Sequence, residues 1–188
     1  MEKVPTHLTT GELEQGLADV LDSPRDDGQL RVIFIRPNEN QRQSLAEARL
    51  SPEQGIDGDR WVKDHWQTLP DGSSDPQTQI SLMNSRILKQ LSGGEEEAMG
   101  LAGDNLIFDL DLSEGNLPDG SRLQIGDRVI IEITEVPHTA CGKFSRRYGS
   151  AAQKFINSQT GRELNLRGRL ARVVAAGKIE VGDLVVKR

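Results

Sequence analysis

Little in this sequence can cross-link it. Cys141 is the single cysteine among 188 residues, so no internal disulfide can form. A chain of this length does not need one, because it should hide roughly 70% of its unfolded surface. The same count excludes an iron–sulfur cluster held by this chain's own cysteines and every paired-cysteine zinc pattern. His7, His65 and His138 are too scattered to read as a zinc set. Aromatics make up 4% of the chain, so the core must come from Val, Ile, Leu and Ala. No apolar run approaches the ~20 residues of a membrane span. Met1 to Thr10 lacks the basic-then-apolar pattern of a signal peptide. No membrane association is expected, and the lone thiol fits a reducing cytoplasm. Positive charge is in deficit: 23 Lys and Arg against 29 Asp and Glu leave a net charge of -6. A phosphate backbone repels such a surface, so nucleic acid is not expected as a partner. A Walker motif, a dinucleotide fingerprint and a GxSxG elbow are all missing.

What is present reads as mainly β. Thr9-Thr10-Gly11-Glu12 has the form of a capping box, followed by an apolar face of Leu13, Leu17, Val20 and Leu21. Ser23-Pro24 stops that helix. Leu30 to Ile35 reads as a strand, Asn38 to Ser51 as a polar stretch without convincing structure, and Gly55 to Arg60 as a loop. After a Thr68–Thr78 loop, Gln79 to Met83 alternates as a strand should. Asn84 can cap a short helix that Gly93-Gly94 ends. Glu95-Glu96-Glu97 reads as a solvated acidic run. Leu106 to Phe108, Arg122 to Ile125, Arg128 to Ile133, Leu170 to Ala175 and two segments around Gly182-Asp183 supply further strands. Ala151 to Asn157 reads as a helix outside them. Many short strands with regular turns predict a closed or nearly closed mixed β-barrel with a few flanking helices. Residues 1–27 are expected to form an N-terminal helix and lead-in to a barrel domain of residues 28–188, one globular unit overall.

Chemistry is concentrated around Cys141. Pro137 should end the preceding strand, and Gly142 lets a ligand approach beside the sulfur. Lys143, Arg146 and Arg147 place three cations within six residues, and cations favour the thiolate, which is the form that attacks and binds metals. A small buried core residue is the competing reading of Cys141. His138, three residues upstream, suits a base, an oxyanion donor or a plain turn residue. Gly58-Asp59-Arg60, with Lys63 and His65 behind it, reads as an anion-holding loop or a solvated turn. Arg167-Gly168-Arg169 offers guanidinium forks suited to phosphate.

As an ordered set these segments resemble the MOSC family, the C-terminal domain of molybdenum-cofactor sulfurases. The carriers are Gly55-x-x-Gly58-Asp59-Arg60, Gln79-Ile80-Ser81-Leu82, Gly103-Asp104-Asn105-Leu106 and Leu123-x-Ile125-Gly126-Asp127. Pro137-His138-x-x-Cys141-x-Lys143-Phe144, Arg167-Gly168 and Gly177-x-Ile179-x-x-Gly182-Asp183 complete it. The resemblance spans roughly residues 28 to 186 and implies a barrel related to the pyruvate-kinase barrel domain. It also implies a cysteine, here Cys141, that carries sulfur or ligates molybdenum in a pterin cofactor (molybdopterin). Asp59, Arg60, Asp104, Asn105, Lys143, Arg147 and Arg167 are the positions it points to for cofactor binding, with Arg147 and Arg167 as candidates for the pterin phosphate. His138 joins Cys141 as a candidate for the chemistry.

The resemblance leaves three functions, in this order. The first is a cofactor-binding or sulfur-carrier module. The second is a molybdenum-dependent reductase of N-hydroxylated compounds. The third is a non-catalytic binding domain. No pyridoxal-phosphate domain is expected in this chain, so it should not act as a desulfurase alone. A cysteine desulfurase or a separate electron-donor reductase is the expected partner. Because barrels gather loops at one end, Asp59, Arg60, His138, Lys143 and Arg147 should share one cleft with Cys141.

Overall fold

Strands whose apolar residues alternate cannot stay flat and half-wetted when both faces carry apolar side chains, and here the sheet closes on itself. The structure, a computed structural model, describes residues 4–64 and 67–188. His65 and its suggested part in the anion-holding loop fall outside the described residues. Seven strands form the closed barrel. In spatial order they are β1 (Gly28–Ile35), β6 (Leu106–Asp109), β5 (Ile80–Asn84), β9 (Arg169–Ala175), β8 (Val129–Ile133), β7 (Arg122–Ile125) and β11 (Leu184–Lys187). β11 returns to β1 through Gly28↔Val185 and Gln29↔Leu184. Only β5 and β6 run parallel within this circuit, so the barrel is mixed.

Strand β1 shows how the sequence encodes this. Leu30, Ile33 and Ile35 all belong to the barrel interior, yet Leu30 and Ile33 are three apart and break the two-residue period. A bulge between Leu30 and Val32, where the pairing to β6 shifts, restores the phase. The bulge also separates the stretch of β1 that meets β11 from the stretch, Ile33 to Ile35, that meets β2 (Gln43–Leu45).

Two apolar layers result. Leu82, Phe108, Ile131, Val173 and Val185 point into the barrel. Phe34, Met83 and Ile107, on alternate positions of the same strands, face an outer layer of helices. That layer holds α1 (Thr10–Gln15), α2 (Leu17–Leu21), α3 (Ser85–Ser92), α4 (Glu96–Gly100), α5 (Gly142–Tyr148), α6 (Ser150–Ile156) and α7 (Gln159–Glu163). β5 is buried along its whole length because helices cover its outer face. On the uncovered side, β7, β8 and β9 carry Arg122, Glu132 and Arg172, paired in solvent. A second sheet of β3 (Glu47–Ser51), β4 (Gly55–Ile56) and β10 (Gly177–Glu180) lies beside the barrel in the order β10-β3-β4.

Several expectations need correction. The N-terminal helix does have its capping box at Thr9 and Glu12, but it breaks at Gly16. Leu21 consequently turns outward and is 61% exposed. Asn38 to Ser51 holds β2 and β3, which polar composition hid because one face of each looks to solvent. The acidic run Glu95 to Glu97 is exposed, as expected, yet Glu96 and Glu97 open α4. The two Gly-Asp turns also differ. Gly126-Asp127 closes a hairpin between β7 and β8, whereas Gly182-Asp183 separates β10, which pairs with β3, from β11, which joins the barrel.

Asn84 ties the layers together. Its Oδ1 accepts from the Arg86 and Ile87 N–H groups at the start of α3, while its Nδ2 donates to Ser23 Oγ and the Leu110 carbonyl. Asn84→Ala removes the cap and strands two buried acceptors, so it should cost about 2–3 kcal/mol. Urea unfolding of the wild type and variant measures this, and a loss under ~0.5 kcal/mol would show the network to be dispensable.

Candidate functional site

The barrel interior is filled with side chains, and the cavity that holds Cys141 lies outside it, between one barrel rim and α5. It has a volume of about 400 Å³, within the range of small-molecule sites. Among the described residues six cations line it, Arg36, Arg42, Arg60, Lys143, Arg147 and Arg167, with no carboxylate in the lining. Cys141 and His138 share the same wall. Cys141 is exposed, so the buried-core reading of this residue is set aside. In a protein of net charge -6, this is a locally positive enclosure.

The loop bearing Cys141 is held by Asn157. Its Oδ1 accepts from the Ala140 N–H, and its Nδ2 donates to the Ala140 carbonyl. Gln153 donates to the same carbonyl. Ala140 is thereby fixed on both sides, and Cys141 follows it as the residue that precedes α5. Burial pushes the thiol pKa up, but the Phe144 and Lys143 backbone N–H groups and the charge on Arg167 overcome it, so the net direction is down. The leading influences on the sulfur are thus not the charges of the expected trio Lys143, Arg146 and Arg147: Lys143 acts through its backbone, and the leading charge comes from Arg167, far away in sequence. Arg146 is exposed and does not line the cleft.

Two buried carboxylates hold cations in place behind the cleft wall. The Asp59 side chain is 2% exposed. It accepts from Arg36 on both oxygens, from the Arg36 and Trp61 N–H groups and from Asn105 Nδ2. Asn105 Oδ1 in turn accepts from Arg36, Ser81 Oγ and the Ser81 N–H. Burial alone would raise the Asp59 pKa, but the bonds and charge of Arg36 bring it below its ordinary value. One residue earlier, Asp104 is fully buried on the other side and accepts from Arg167 at 2.6 Å. Arg167 also donates to the Ala102 carbonyl and lies over the Phe144 ring, 5.3 Å from its centroid. Burial lifts the Asp104 pKa, with Arg167 opposing. His138 is held well below its ordinary pKa by burial and by the charges of Arg167 and Arg36, so it is neutral near pH 7.

Of the residues singled out from sequence, Arg60, His138, Cys141, Lys143, Arg147 and Arg167 reach the cleft. Asp59, Asp104 and Asn105 stand behind it, spent on Arg36 and Arg167. Arg60 is further paired with Asp64 and Arg147 donates to the Leu101 carbonyl. Arg167 and Arg169 do not form one fork. Arg169 turns away to Asp119 and to the Leu117 carbonyl, because the chain at Gly168 passes so close to the Leu82 carbonyl that a Cβ there would overlap it. Sequence reasoning missed Arg36, Arg42, Ser81 and Asn157. Arg36 was findable as the first charge after a buried strand, directly before Pro37. Asn157 carried no local signal. Among the described residues no cluster of His, Cys, Asp and Glu could hold a metal ion by itself, and no helix is long and apolar enough to cross a membrane.

A family model for the MOSC domain matches residues 71–186. Comparison with curated protein sequences gives no match. Among solved structures, the YuaD protein of Bacillus subtilis aligns with a TM-score of 0.60 at 15% identity, covering 84% of this chain and 93% of that one. YiiM of Escherichia coli aligns with a TM-score of 0.53 at 20% identity, over 85% of this chain and 69% of that one. YiiM of Geobacillus stearothermophilus gives 0.55 at 18%, over 86% and 75%. At these identities the likeness speaks for the fold.

Two outcomes follow from this geometry. Iodoacetamide should label the native protein once, at Cys141, reaching its plateau rate below the pH at which a free cysteine (pKa about 8.5) does. A thiol inert until denaturation would show the site to be closed. Asp59→Asn should destabilise the fold by roughly 3 kcal/mol, the lower end for breaking a buried pair, since Arg36 keeps some exposure. The Asp59 pKa is lower in the folded chain than in the unfolded one. Its contribution is therefore complete above the unfolded value of about 3.9 and lost as pH falls through the folded value. Denaturant titrations at several acidic pH values should show a shallower acid loss in the variant.

Proposed function

The chain belongs to the MOSC domain family, and on that premise we propose that the Cys141 cleft is a molybdenum-cofactor-binding or sulfur-carrying site in which the Cys141 thiolate is the metal ligand or the persulfide carrier. One observation carries the reading: an exposed thiol of lowered pKa opens into a cleft whose described lining has six cations and no carboxylate. That donor set fits molybdopterin. A thiolate is a soft ligand suited to such a metal, and guanidinium and ammonium groups suit the pterin phosphate. Lys143, whose side chain is 56% exposed, and Arg147 would hold the phosphate. Arg36 would stand opposite, fixed in place by Asp59. Arg167 would act on the sulfur through its charge and not primarily on phosphate, because its Nη1 is committed to Asp104.

When bound, the cofactor supplies redox and atom-transfer chemistry. This chain's residues do the rest. The N–H groups of Lys143 and Phe144 hold the thiolate, and the cations exclude competing neutral ligands by favouring anions. His138, being neutral, can exchange a proton with a bound group. In the carrier role, the Cys141 thiolate attacks the outer sulfur of a donor persulfide, one S–S bond forms as another breaks, and the donor leaves as its thiolate. With a single cysteine, the chain must take sulfur from a separate donor such as a cysteine desulfurase. The reductase of N-hydroxylated compounds remains the second reading, favoured by a neutral imidazole in the same cleft as the thiol. It requires electrons from a separate reductase.

The test is molybdenum and pterin per chain after expression in a cofactor-producing host. Wild type should retain both. Cys141→Ser should lose at least tenfold of the molybdenum with stability unchanged within about 0.5 kcal/mol, as for ordinary surface positions. Lys143→Ala should retain less pterin while keeping the fold. If wild type and Cys141→Ser hold equal traces of metal, and neither accepts sulfur from a persulfide, the reading is lost.

A further inference from the structure

The buried face of His138 ends on an unmade contact. Its Nδ1 lies 3.7 Å from Asp104 Oδ1, and both atoms are sealed from solvent with no hydrogen-bond partner among the described residues. That separation is about 0.5 Å beyond the outer limit of an N–H···O bond, so a small ring shift closes it. The carboxylate is not free to turn away. Its Oδ2 is taken by Arg167 at 2.6 Å, and Arg167 is itself fixed by the Ala102 carbonyl and the Phe144 ring. The ring keeps 15% of its surface exposed while Nδ1 has none, so the edge that reaches the cleft is the one carrying Nε2.

The charges facing this pair decide the tautomer. Arg167 and Arg36, both of which line the cleft, oppose a second proton on the ring. A neutral ring with its proton on Nε2 would set the Nδ1 lone pair against a carboxylate oxygen in a sealed space, which is repulsive. A proton on Nδ1 instead satisfies both orphaned atoms. We propose that Asp104 is a positioning residue for His138: Oδ1 accepts from Nδ1–H, and Nε2 is thereby presented as a bare acceptor to an N–H or O–H group of the ligand held beside Cys141. This rests on the reading of that cleft as the working site, and it moves Asp104 from cofactor contact to control of the histidine.

Arg167 makes the consequence of one substitution definite. In Asp104→Asn, the guanidinium claims the amide oxygen, so the amide NH2 faces Nδ1 and forces the proton to Nε2. The full-length chain, labelled with 15N-histidine and assigned by loss of one spin system in His138→Gln, is read by NMR at pH 7. The wild type should show protonated Nδ1 and unprotonated Nε2, and Asp104→Asn the reverse. A wild-type Nε2–H tautomer, or a ring that takes its second proton near the ordinary value of about 6.5, overturns the proposal. Should Asp104→Asn fail to fold, the wild-type signature alone decides. The measurement needs no molybdenum, so a chain without cofactor and with the predicted tautomer would sink the cofactor reading and leave this one standing.

Discussion

A barrel packed with its own side chains has no room for a ligand, and that constraint directs everything chemical in this protein to the rim. Closing seven strands fills the centre with Leu, Ile and Val from every strand. The outer faces then divide. One side takes helices and becomes a second apolar layer. The other meets water and carries surface ion pairs such as Arg122 and Arg172 around Glu132, each worth little. The cleft forms where the covered side meets the rim and α5 leaves a gap. Its polar residues therefore come from strand ends and loops, which explains why they are scattered from Arg36 to Arg167.

Gathering six guanidinium and ammonium groups around one small cavity is electrostatically costly, and the solution lies in two consecutive residues. Asp104 and Asn105 leave the chain in opposite directions at the entrance to β6. Asn105, together with Asp59, organises Arg36, while Asp104 organises Arg167. Both carboxylates sit behind the wall, where they neutralise and aim the cations without facing a ligand. A buried pair of this kind is weak as a source of net stability, because desolvation offsets attraction, but its loss leaves an uncompensated charge. Its contribution here is orientation. The fold thereby presents cations to the cleft and keeps Asp59 and Asp104 behind its wall, which favours anions in a protein whose overall charge is negative.

Much of this was legible before any coordinates, and the failures have physical reasons. Strands whose apolar residues alternate, such as Gln79 to Met83, announce themselves. The caps at Thr9 and Asn84 are local chemistry and read directly. Strand β3 was hidden because it buries only one face, and β2 because it buries none fully, so polar side chains dominate their composition. The short helix α5 was missed because Pro137 and Gly142 suggested a loop around Cys141. Within the site, the ordered motifs singled out Asp59, Asp104 and Asn105, yet nothing in one sequence separates a residue that touches a ligand from one that aims a residue that does. That distinction depends on which side of a strand a side chain leaves, and on a neighbour such as Arg36 or Asn157 that comes from elsewhere in the chain.

The position of Cys141 completes this logic. A cysteine within a barrel strand would either be buried and inert or emerge where β-sheet geometry fixes both neighbours. Placed after Ala140, which Asn157 grips by both its N–H and its carbonyl, the sulfur has a rigid approach and an open far side. The turn that follows supplies two N–H groups to the sulfur, so the thiolate is stabilised by backbone that no side-chain substitution removes. Arg167 adds its charge, and the same guanidinium lies against Phe144 near the start of α5. Sulfur, helix and buried carboxylate are therefore coupled through one side chain, and a change at Asp104 must be felt at Cys141 even though 36 residues of the sequence separate them.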